Sequence, residues 1–164
     1  MPISDEHLRA LGRVTVNFSL LEFHLGWYVS ILLGEDSGTG QIVNAQLSFK
    51  TQIDLLMSLA RYKIKEQIVT EQLEDLIRRA KDIEDRRNQL VHSAWLLKEG
   101  AAEGVIRLKI TARAKHGLKH TREEVRAANI DAFATEIQGL VGSFMLYRQV
   151  VQEQVAVPQL PKLF

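Results

Sequence analysis

The chain has 164 residues, room for one domain but not comfortably for two. With 46% hydrophobic and 25% charged residues it has the profile of a globular domain. With no Cys it can hold no disulfide framework, thiolate metal site, iron–sulfur cluster or thiol nucleophile. Lys plus Arg number 21 against 20 for Asp plus Glu, so global charge points to neither nucleic acid nor membrane.

Ser4, Asp5 and Glu6 suit a helix start, with a capping side chain and first-turn acids. Behind them Leu8, Leu11, Val14, Phe18, Leu21, Leu25, Tyr28 and Leu32 recur every three or four residues, which predicts a helix over roughly 4–33. Acids stand where an export signal is basic, and the greasiest stretch, Leu20 to Leu33, carries Glu22 and His24. That stretch is too short and too polar to span a bilayer, and the expected location is the cytoplasm with no membrane partner. Gly34, Gly38 and Gly40 read as a loop, since they lack the Lys-Ser/Thr of a phosphate-binding loop and follow a helix.

Ser48 caps a second predicted helix over roughly 49–64, and Thr70 with Glu71 opens a third over roughly 71–92. The period then changes. Ser93 to Lys98 and Val105 to Lys115 alternate around a Gly-containing turn, which predicts a β-hairpin at about 93–115. Thr121-Arg-Glu-Glu has the capping-box pattern and opens a last helix to about residue 153, with a break expected near Asn129. The tail from about 155 to 164 holds two prolines and is not helical. The expected fold is a single all-α domain over 1–164. It is a four-main-helix up-down bundle with a small β-hairpin inserted before the last helix.

One position breaks the pattern. Residues 73, 76, 80, 83, 87 and 90 step by three and four along the third helix, and five are Leu, Leu, Ala, Ile and Leu. The sixth is Arg87, and a guanidinium on an apolar seam demands a partner or a ligand. Asn88 and His92 lie one turn apart on one side, with Asp85 behind. An Arg offers fixed donors to phosphate oxygens, and an imidazole exchanges protons near neutrality. Such a cluster suits metal-free RNA cleavage, in which the ribose 2′-hydroxyl attacks its own phosphodiester. A single His would act as both base and acid; a two-fold dimer bringing two clusters into one cleft supplies both.

Arg87-Asn-Gln-Leu-Val-His92 resembles the R-x4-6-H motif of the HEPN superfamily, small helical proteins that include metal-independent ribonucleases of toxin–antitoxin and phage-defence systems. The resemblance implies a helical-bundle homodimer with Arg87 and His92 of both copies lining a shared cleft, and Asn88 as the polar residue after the Arg. It implies an RNA substrate, no cofactor, no metal and an antitoxin protein as a candidate partner. One branch carries Tyr two residues after the His, where this chain has Ala94. The alternative from another class is a non-catalytic HEPN-like domain that binds nucleotide, RNA or protein. In that case Arg87 pairs with an internal carboxylate such as Glu22.

Other residues qualify these readings. Arg107, Lys109 and Arg113 alternate along one predicted strand face, and residues 98–126 hold eight Lys or Arg against four Glu, which suits a phosphate backbone. The same charges equally suit a solvated edge strand. His116 and His120 have helical zinc spacing, but Gly117 opposes a helix there and no third ligand is near. His24 between Phe23 and Leu25 reads as a core histidine, Glu22 and Asp85 as supporting residues, and Trp95 as packing for the hairpin.

Overall fold

The long apolar stripe at the N-terminus forms one helix, α1 (Asp5–Leu33). The computed structural model describes residues 3–34, 37–97, 105–113 and 117–155, without the side chains of 37 and 111–113. After α1 come α2 (Ser37–Ala45), α3 (Phe49–Lys63) and α4 (Gln67–Val91), then β1 (Ala94–Leu97), β2 (Val105–Arg113) and β3 (Gly117–Glu124), and finally α5 (Ala127–Val155). The protein is mostly helical, with one small antiparallel sheet in the order β1-β2-β3. It divides into two compact units, Met1–Phe18 with Ile83–Gln138 and Ser19–Asp82 with Gly139–Phe164, and α1, α4 and α5 each give a segment to both.

In the first unit the core holds Ala10, Val14 and Phe18 of α1, Ile83 of α4, Val105 of β2, and Ile130, Phe133, Ala134 and Ile137 of α5. Polar bonds fix α1 within it. The buried His7 donates from Nε2 to the Val125 carbonyl (2.9 Å), so its Nδ1 accepts from the Ser4 hydroxyl (2.7 Å). Ser4 thus spends its hydroxyl on His7. Asn17 donates to the Ala134 carbonyl at 2.8 Å, and Arg13 pairs with Asp131.

In the second unit the core comprises Leu21, Leu25, Tyr28, Val29 and Leu32 of α1, Ile53 and Leu56 of α3, Leu73, Ile77 and Ala80 of α4, and Leu140 and Phe144 of α5. The Tyr28 hydroxyl donates to the Phe144 carbonyl (2.6 Å) while the two rings meet edge to face. Ser48 caps α3, its Oγ accepting from the Thr51 amide at 3.2 Å, and Gly34 closes α1 with a positive φ of 72°. His24 is buried beside Phe23, as a core histidine should be. By length and composition alone α1 could cross a membrane, yet half of its apolar window is buried inside the protein.

Four sequence expectations need correction. The Gly-rich segment after Gly34 is a helix from Ser37, not a loop. Its Gly40 lies where a Cβ would fall onto Ser30 Oγ and within 3.2 Å of Ser30 Cα, so the glycine permits close helix contact. The hairpin is a three-stranded sheet. Thr121-Arg-Glu-Glu opens no helix; it lies in β3, with Thr121 opposite Lys109 and Glu123 opposite Arg107. Finally, α5 starts at Ala127 and runs unbroken past Asn129. Residues 98–104, 114–116 and 156–164, on which the turn and end of the expected hairpin and the expected tail fall, lie outside the described residues.

Gly40→Ala is expected to cost about 1–3 kcal/mol, since α2 must move off α1 to admit the methyl group. Urea melting measures this, and wild-type stability would mean that α2 does not pack on Ser30 this closely.

Candidate functional site

The seam of α4 is buried through Leu73, Leu76, Ala80 and Ile83, and burial falls to half at Arg87 and Leu90. Arg87 is therefore the first residue of the stripe that can reach both the interior and solvent. Its guanidinium carbon lies 4.7 Å from the ring centroid of Phe18 on α1, within cation–π range. Its Nη1 donates to Asn88 Oδ1 at 3.0 Å, and its Nε is buried without a hydrogen-bond partner. No carboxylate pairs with Arg87 among the described residues. By contrast Arg13, Arg61, Arg86 and Arg107 each pair with one.

His92 follows the last turn of α4, with its amide donating to the Asn88 carbonyl at 3.2 Å, and its side chain is exposed. Arg87 and Asn88 are thus in contact, and His92 is joined to Asn88 through the backbone. The Asn88 amide, with its oxygen turned to Arg87, presents its NH2 as the donor end. Asp85 is exposed on the same helix, and Glu22 belongs to the other unit, where it lines a cavity. Trp95 turns its indole back to donate from Nε1 to the Leu90 carbonyl at 3.2 Å, pinning β1 to the end of α4. An anion reaching Arg87 would find a guanidinium over a ring and beside a neutral amide, with the exposed His92 imidazole one turn on along the chain.

The neighbouring arginine on the same turn has its charge paired. A cavity of about 210 Å³ is lined by Arg86, Gln89, Leu90, Arg107 and Glu123 among others. Arg86 sits 4.3 Å from the Phe133 ring centroid and makes two 2.7 Å bonds to the Glu136 carboxylate. Arg107, only 12% exposed, pairs with Glu123 on β3.

This pairing alters the cationic-strand picture. Arg107 is an internal ion pair, not an open phosphate contact, because β3 brings an acid opposite it. Lys109 is half-buried opposite Thr121, and Arg113 stands opposite Gly117, its side chain outside the described residues. His120 lies on the exposed β3, and His116 is outside the described residues. Sequence reasoning missed Phe18 as the platform for Arg87, and also Glu123 and Glu136. The alternation of β3 carried a signal for Glu123; nothing local marks Phe18.

Arg87→Met keeps a long side chain over Phe18 and removes the charge. It is expected to melt within about 1 kcal/mol of the wild type, because no carboxylate is left stranded. A loss above about 3 kcal/mol would identify Arg87 as a structural ion-pair member instead.

Comparison of the chain with family models, curated proteins and solved structures found no match.

Proposed function

We propose that the chain is a metal-independent endoribonuclease of the HEPN type, active as a cytoplasmic homodimer and restrained by an antitoxin-like partner. The observation that carries this reading is the treatment of Arg87. A half-buried guanidinium is held by an aromatic face and a neutral amide, so its charge stays available to an anion. Its neighbour on the same helix end is an exposed imidazole.

In this reading Arg87 binds the scissile phosphate and stabilises the charge that builds on its oxygens. Asn88 fixes the guanidinium and offers its NH2 to the phosphate. His92 takes the 2′-hydroxyl proton as the 2′-oxygen attacks phosphorus. The P–O5′ bond breaks, and the departing 5′-oxygen receives a proton from the imidazolium of a second copy. The products are a 2′,3′-cyclic phosphate and a 5′-hydroxyl. DNA, lacking the 2′-hydroxyl, is not cleaved.

Labelled single-stranded RNA incubated with the protein and excess EDTA tests this. Cyclic phosphate ends are expected, with at least about a hundredfold loss of rate in Arg87→Ala and His92→Ala variants that still fold. RNA binding without cleavage, lost in Arg87→Ala, would assign a binding domain. Folded variants that match the wild type in both cleavage and binding would remove the site altogether.

A further inference from the structure

In the second unit, α1, α2 and α3 line a half-open cavity of about 370 Å³ whose lining contains none of Arg87, Asn88 or His92. Its volume lies within the range of small-molecule sites, roughly 300–1,000 Å³. Phe23, Trp27 and Phe49 give it aromatic walls, and Asn44 and Gln52 face each other across Gly26. A Cβ on Gly26 would approach Gln52 Nε2 to 3.1 Å and Asn44 Nδ2 to 3.2 Å, so the glycine keeps the amides close to the helix backbone.

The two amides are not equally satisfied. Asn44 Nδ2 donates to the Gly26 carbonyl at 2.6 Å and to Ser30 Oγ at 3.3 Å, which fixes that side chain. Gln52 is only 7% exposed, and its side-chain amide makes one long bond, from Nε2 to Asn44 Oδ1 at 3.5 Å. Its Oε1 accepts no hydrogen bond among the described residues. That oxygen is not among the side-chain atoms sealed from solvent without a partner, so it is reachable and can accept from a donor that enters the cavity. Trp27 is held by the Arg148 guanidinium over its ring. The described lining includes Glu22 and neither Lys nor Arg.

We infer that this cavity binds a nucleobase, adenine in particular, from a free nucleoside or from an unstacked position in single-stranded RNA. The aromatic walls take the ring. Gln52 Oε1 accepts from the exocyclic amine while Nε2 donates to the adjacent ring nitrogen, the two-bond pattern that an amide makes with adenine. The cavity lining shares no residue with the Arg87 cluster, so adenosine binding is expected to survive Arg87→Ala and His92→Ala.

Calorimetry with the full chain tests the inference, using adenosine and purine riboside, which lacks the exocyclic amine. Adenosine is expected to bind about tenfold more tightly, the worth of one buried hydrogen bond. Gln52→Leu should erase that difference while melting no lower than the wild type. Ala45→Phe, which places a ring in the cavity lining without touching the amide, should abolish binding of both. Oligoadenylate separates the sources: affinity lost in Ala45→Phe identifies an RNA base, and unchanged affinity identifies the free nucleoside. No adenosine binding at millimolar concentration, or a tenfold preference that survives Gln52→Leu, would overturn the inference.

Discussion

A helix can serve as a core element only if every third or fourth residue gives its side chain to the interior, and α1 does so along its whole length. Ala10, Val14 and Phe18 enter one unit, and Leu21, Leu25, Tyr28, Val29 and Leu32 enter the other. The rest of the molecule follows from this stripe. The ring under Arg87 is its Phe18, while Phe23 and Trp27, which line the cavity in the second unit, stand on the less buried side of the same helix. Both sets of residues thus stand on a helix whose buried face is mostly apolar.

The arginines show how a fold distinguishes structural charge from usable charge. Arg87, Arg107 and Arg148 each bury an Nε with no hydrogen-bond partner. Arg107 is neutralised by Glu123 across the sheet, whereas Arg87 and Arg148 lie over aromatic rings. A ring holds a guanidinium in place through its quadrupole without cancelling the charge, as a carboxylate would. Arg86 is committed to Glu136, while Arg87, one residue on, keeps its charge for what approaches from solvent.

Much of this was legible in sequence, and the failures have definite causes. The periodicity of α1, α3 and α4 is strong because each buries one stripe, and Arg87 stood out against such a stripe. Ser48 acts as the cap its position suggests. In sequence the segment from Ser37 reads as a loop because glycine normally marks a turn, but Gly40 serves a close helix contact that only tertiary packing reveals. Thr121-Arg-Glu-Glu satisfies a capping box and equally a strand. What decides is the partner strand, which sets Glu123 opposite Arg107. Phe18 under Arg87 is 69 positions distant, and no local pattern connects the two.

Two buried rings of the second unit give it a working range on the proton scale. Burial, aided by the nearby Arg148 charge, pulls the His24 imidazole below its ordinary value of about 6.5. In acid the unfolded chain takes up a proton that the folded one refuses, so stability falls as pH drops below that value. Burial pushes the Tyr28 phenol well above its usual value of about 10, with the Tyr147 phenol adding to the shift and Arg148 opposing it. In alkali the unfolded chain releases a proton that the folded one keeps, so stability falls again as pH rises. The bond from Tyr28 to the Phe144 carbonyl and the burial of His24 thus act as two bookends. Between them neither ring changes charge, and folding is indifferent to pH on their account.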